Sequence, residues 1–135
     1  MADYLTFSDV LTRAHVTRSL LMDLLRAGVV KPSVRASTGR GVHRRFSKAD
    51  VGRVRLAGML RCYGIPTNHV KGLVRELDRG RRGGADVVVI HALGGGKWLL
   101  RSLSVGEAQR LFLTPGGWAS NELVIWFAPI RDLFS

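Results

Sequence analysis

The side chains best suited to chemistry in this sequence are its arginines, and they are unevenly placed. Residues 1–84 hold 17 Lys and Arg against 6 Asp and Glu, whereas residues 85–135 hold 4 against 4. The net charge of +11 therefore belongs wholly to the first part. A guanidinium presents a flat fork of donors that matches phosphate oxygens. Basic side chains gathered on one helix face and the ribbon that follows make a surface for a polyanion. The gathering runs from Val16 to Phe46. Thr17, Arg18 and Ser19 stand at the start of a predicted helix, with Met22 and Arg26 further along. Arg35, Arg40, His43, Arg44 and Arg45 follow in a segment punctuated by Gly39 and Gly41.

The elements that must position these residues follow from patterning. Leu20, Leu21, Leu24 and Leu25 fall on one side of the helix, while Arg18, Ser19, Met22, Asp23 and Arg26 face away. Gly28 stops the helix and Pro32 lies just beyond. Residues 33–46 read as a β-hairpin with a glycine-rich tip. Before them, Thr6-x-x-Asp9 caps a first helix with Val10, Leu11 and Ala14 inward. His15 and Val16 make a tight connection, and Thr17 is an N-cap. Two short helices followed by a cationic hairpin are the plan of a winged helix-turn-helix, and that plan implies binding to double-stranded DNA.

Within it, short or charged side chains near a recognition helix's N-terminus reach base edges. Thr17, Arg18 and Ser19 fit, with Arg18 able to meet a guanine bidentately. Arg26 either meets phosphate or complements the negative end of the helix dipole. Strand alternation sends Arg44 and Arg45 to opposite faces. One then grips phosphate, while the other packs its stem or pairs with an acid such as Asp50. Arg35, Arg40 and His43 are backbone contacts rather than base readers. Lys48 and Thr67, each at a helix start, are secondary phosphate candidates.

Further on, Ser47-x-x-Asp50 opens a third helix with Val51, Val54, Ala57 and Leu60 inward, ended by Gly64. Pro66 and Thr67 open a fourth, packed through Val70, Leu73, Val74 and Leu77. Arg79 to Gly84 reads as a flexible basic joint, dividing a DNA-binding domain at 1–80 from a module at 85–135. The grammar then turns to strands: Asp86–Ala92, a turn at Gly94–Gly96, and Lys97–Ser102 returning. Ser104-x-x-Glu107 caps a short helix to about Phe112, Thr114–Gly117 is a turn, and Glu122–Ala128 is a strand apolar on both faces. Such a strand must be covered on both sides. A module of this size needs a partner for that, either the first domain or a second copy. The fold class is α+β.

From Leu5 to Leu77 the chain resembles the DNA-binding domain of the MerR family of bacterial transcription regulators. The resemblance is carried by V-T-R-S-L-L-M-D-L-L-R-A-G-V-V-K-P at 16–32 and G-V-H-R-R-F-S-K-A-D-V at 41–51. R-V-R-L at 53–56 and L-R-C-Y-G-I-P at 60–66 extend it. It implies a dimeric winged helix-turn-helix whose helix at 17–27 enters the major groove while the wing around Arg44 and Arg45 grips the backbone. The chain departs from the family where Met22 stands for the usual Arg and Leu24 for the usual Tyr; Arg18, one turn earlier, takes on part of that work. Members usually dimerise through a long helix after the wing domain. Here strands follow instead, and no cysteine cluster for metal sensing is present.

Other functions lack residues to carry them. Four histidines (His15, His43, His69, His91) show no paired ligand spacing. Cys62, the single cysteine, reads as a small buried hydrophobe. Gly94–Gly96 lack a phosphate-loop fingerprint, and Trp98, Trp118 and Trp126 read as core or interface. His91 and Asp86 lie on opposite strand faces, and Ser102 and Ser104 have no base. No enzyme activity and no cofactor are expected. No apolar run nears the roughly 20 residues of a membrane span, and the first residues lack a signal-peptide pattern, so the cytoplasm and its nucleoid are the expected location. The expected function is a sequence-specific regulator acting as a homodimer through residues 85–135, a repressor or a phage or mobile-element control protein. The alternatives are an excisionase-like DNA-bending factor, or an adaptor whose C-terminal module binds another protein.

Overall fold

The computed structural model describes residues 4–32, 44–94, 97–113 and 123–130, with the backbone alone at 91–94, 111–113 and 123–129. The elements run α1 (Phe7–Ala14), α2 (Arg18–Arg26), α3 (Lys48–Cys62), α4 (Thr67–Arg82), β1 (Val87–Gly94), β2 (Lys97–Leu103), α5 (Val105–Leu113) and β3 (Leu123–Pro129). This is α+β, a helix-turn-helix followed by a small sheet with one short helix. The chain forms two compact units, from Met1 to Val74 and from Arg75 to Asp132.

In the first unit, side chains close the helix starts. The Thr6 hydroxyl accepts from the Asp9 amide while the Asp9 carboxylate accepts from the Thr6 amide, at 3.2 and 2.9 Å. Ser47 and Asp50 repeat the arrangement at the start of α3, and the Thr17 hydroxyl accepts from the Leu20 amide at the start of α2. These are the expected caps.

Helix ends follow one pattern. After α2, the amides of Gly28 and Val29 donate to the carbonyls of Leu25 and Leu24, and Gly28 has φ +73°. This is a Schellman closure, which needs a left-handed residue that glycine supplies without a Cβ clash. Gly64 and Ile65 close α3 in the same way onto Arg61 and Leu60.

The core of this unit gathers Val10, Leu21, Leu24, Phe46, Val54, Leu56, Leu60 and Ile65, all nearly or wholly buried. The central helix is α3, packed against both α1 and α2. Its predicted inner residues Val51, Val54, Ala57 and Leu60 are buried, but so are Gly52, Leu56 and Gly58, because neighbours cover more than one side. At Gly58 a methyl group would come within 2.8 Å of Val16 Cγ1, so its bareness lets α3 approach the α1–α2 turn closely. Leu5 pairs with Phe46 in an isolated antiparallel bridge, tying the root of the wing to the start of the chain. The hairpin itself, with Arg35, Gly39, Arg40, Gly41 and His43, lies outside the described residues.

Two expectations are corrected. Cys62 is exposed rather than buried; it is the last residue of α3, next to the exposed Tyr63. Residues 79–82 are helix rather than a joint. Gly80 faces Ser102 of β2 so closely that a Cβ would collide with the serine side chain, and Gly84, at φ +81°, is the left-handed residue closing α4. Both glycines serve a helix and its packing.

In the second unit the strand order is β2-β1-β3, all antiparallel. Central β1 buries four successive residues, Val87 to Ile90, as a covered strand does. Val87 and Val89 cluster with Leu103 and Ala108 of α5. The predicted capping box at Ser104 and Glu107 is present. Trp98 is half-buried. The turns at Gly94–Gly96 and Thr114–Gly117, together with Trp118, fall wholly or partly outside the described residues.

Candidate nucleic-acid interface

The first unit carries a cleft of about 600 Å³. Its floor comes from the N-terminus of α1 through Thr6, Phe7 and Ser8, with Tyr4 just before it. One wall is α2, contributing Arg18 and Met22; the other is the root of the wing, contributing Arg44 and Arg45. Four of the predicted site residues, far apart in sequence, thus meet in one concavity.

Each guanidinium there rests on a soft or aromatic group. Arg45 lies 4.2 Å from the centre of the Tyr4 ring, and Arg18 lies 5.2 Å from that of Phe7. A cation held over a ring face is attracted by the ring's quadrupole. Arg44 Nη1 stands 3.9 Å from Met22 Sδ, a weak donor–acceptor contact. Where the resemblance expects a second cation, Met22 offers a polarisable sulfur to the arginine opposite.

Among the described residues, Arg18, Arg44 and Arg45 pair with no carboxylate. Other arginines of this unit are engaged elsewhere. Arg53 Nη1 donates to the buried Asp50 carboxylate at 2.6 Å, Arg55 donates to the Arg13 carbonyl, and Arg61 donates to the Ile65 carbonyl. Some arginines of this unit thus hold the fold, and three others line a cleft.

Strand alternation would have parted Arg44 from Arg45, yet both line the same cleft. Backbone alternation sets only where a long side chain starts, and its several rotatable bonds can carry the guanidinium back to the cleft. The long side chains then follow their partners, Met22 and Tyr4.

The remaining predicted residues lie outside the cleft lining. Thr17 and Ser19 are exposed on α2, the former occupied as its cap. Arg26 is exposed and stands 3.5 Å from Asp23 one turn back, a solvated pair of little energetic weight. Lys48 is exposed and Thr67 half-buried at their helix starts. Arg35, Arg40 and His43 lie outside the described residues.

Sequence reasoning missed Tyr4, Thr6, Phe7 and Ser8 as cleft residues. The signal was an aromatic pair flanking the first cap, three residues apart, which local patterning assigns only to the helix start. Close by, the hydrogen bonds from the Thr6 amide and hydroxyl hold the Asp9 carboxyl below its ordinary range, so its charge is spent on the cap. No group of three or more potential metal ligands occurs among the described residues. No described helix is long and apolar enough to cross a membrane.

The model of the family described as MerR HTH family regulatory protein matches residues 5–77. The chain belongs to the MerR HTH family. It is accordingly a DNA-binding transcriptional regulator. No curated protein matches the chain. The MerR HTH match ends within α4 and does not reach the sheet that follows. What the family accounts for is the cleft and the helices around it.

Proposed function

We propose that the chain regulates transcription by binding specific double-stranded DNA sites as a homodimer. The first domain reads the duplex, and residues 85–135 join two copies. Residues 17–27 lie in the major groove, with Arg18 at base edges, and Arg44 and Arg45 grip the flanking phosphates. One observation carries this reading: three arginines without carboxylate partners among the described residues line one cleft between α2 and the wing root. Guanidiniums in that state keep their donor edges for an anion.

Dimerisation follows from affinity. One small winged domain makes few contacts, whereas a two-fold pair reads two half-sites at once. The sheet module is the part of the chain left over for that task. In this reading the regulator is a repressor or an element-associated control protein. The cytoplasm is then the working compartment.

Selection of bound sites from random duplex DNA tests this. The expected outcome is an inverted repeat whose half-sites lie about one helical turn apart, or a multiple of it, with a dimer in sedimentation. Tandem direct sites with DNA bending would instead indicate an excisionase-like factor. No enrichment would remove the sequence-specific reading.

A further inference from the structure

We infer that Tyr4 and Phe7 are positioning residues for DNA binding. They form an aromatic brace that presents Arg45 to backbone phosphate and Arg18 to base edges, and this inference rests on the DNA-binding reading above. Both rings line the cleft that the arginines line. The two contacts are of one kind, Arg45 over Tyr4 at 4.2 Å and Arg18 over Phe7 at 5.2 Å. They lie on opposite sides of the Thr6 cap: Phe7 is the first residue of α1, and Tyr4 adjoins Leu5, which the bridge to Phe46 fixes.

A guanidinium has two kinds of surface. Its planar face meets an aromatic ring, while its edge carries the N–H donors. Stacking on Tyr4 or Phe7 uses the face and leaves the edge available for two acceptor atoms, phosphate oxygens for Arg45 and a base edge for Arg18. A carboxylate partner would do the opposite, occupying the edge and cancelling the charge. An aromatic support therefore orders the side chain while keeping it ready for an anion. Part of the rotamer freedom that an arginine surrenders on binding is surrendered beforehand. The phenol hydroxyl plays no part in this, so the brace depends on the ring alone.

The test uses the full chain and a labelled duplex of mixed sequence at low salt, since phosphate contacts need no specific site. Tyr4→Leu is expected to weaken this binding by about twofold to fivefold, the range of an exposed cation–π contact, and Phe7→Leu to weaken binding to the selected site by as much. Tyr4→Phe should bind as the natural chain does. In an Arg45→Ala background, Tyr4→Leu should have no further effect. In the free protein, the δ protons of Arg45 should be shifted upfield by the ring and return to ordinary values in Tyr4→Leu, a readout that requires no DNA.

The brace is overturned if Tyr4→Leu weakens binding equally with and without Arg45, or if Tyr4→Phe is as damaging as Tyr4→Leu. It is overturned alone if Arg45→Ala weakens binding and Tyr4→Leu does not. A natural chain that binds no duplex overturns the brace and the DNA-binding reading together.

Discussion

Arg55 on α3 donates from Nε and Nη2 to the carbonyl oxygen of Arg13, at 3.0 and 2.9 Å. The contact joins the central helix to the last turn of α1, where backbone carbonyls lack helical partners. A charge-assisted pair of bonds satisfies one of them. Arg55→Ala is expected to lower stability by about 1–2 kcal/mol, read as an earlier midpoint in urea. The salt dependence of DNA binding should stay as it was, because Arg55 lies outside the cleft lining. A reduced salt slope would place Arg55 on the duplex instead.

The cleft arginines should separate by role. Arg44→Ala and Arg45→Ala are each expected to weaken binding to every duplex alike and to reduce the salt slope by about 1. Arg18→Ala should mainly erode preference among sequences, by about 1–3 kcal/mol at the base it contacts. Affinities measured on several duplexes across a salt series distinguish the two patterns. A salt slope retained in both wing variants would contradict the assignment of Arg44 and Arg45.

Two glycines on α4 make a paired test of packing. A methyl group at Gly80 would collide with Ser102, whereas one at Gly72 meets nothing within 4 Å. Gly80→Ala should therefore destabilise the second unit by about 1–3 kcal/mol, the usual range for overpacking. Gly72→Ala should stabilise its helix by up to about 1 kcal/mol. All tryptophans (Trp98, Trp118 and Trp126) belong to residues 85–135, so their fluorescence during unfolding reports the second unit. Equal effects from the two substitutions would refute the Gly80–Ser102 contact.

Titration of the caps has a definite sign. Thr6 holds the Asp9 carboxyl below its ordinary range through its backbone and side-chain hydrogen bonds. Ser104 does the same to Glu107, through its side chain first and its backbone second. A carboxyl depressed in the folded state stabilises above its unfolded value, and the contribution is lost as pH falls through the folded one. Both caps should thus be intact at neutral pH and fail only in acid, below the usual carboxylate range. Carboxyl chemical shifts followed against pH in Thr6→Ala and Ser104→Ala should show each acid returning upward. An unmoved Asp9 in Thr6→Ala would remove the side-chain hydrogen bond as a cause, since the backbone bond survives that substitution.

What the sequence reveals here depends on how local each cause is. The four N-caps at Thr6, Thr17, Ser47 and Ser104 are legible because each joins atoms three residues apart. The closures at Gly28 and Gly64 are legible for the same reason. Gly80 is not, since a glycine in a basic run signals flexibility and close packing equally, and the deciding neighbour, Ser102, comes from strand β2. Burial of Leu56 and exposure of Cys62 escape a one-face reading because α3 is contacted by α1 and α2 at once. The cationic site was visible as composition, but its grouping was hidden. Nothing in the spacing of Arg45 points to Tyr4, nor in that of Arg44 to Met22.

The bridge between Leu5 and Phe46 has a practical corollary. It anchors the beginning of the chain at the root of the wing, with Tyr4 at the cleft itself. Leu5→Pro, which removes the amide that donates to the Phe46 carbonyl, would therefore loosen the wing root and Tyr4 together.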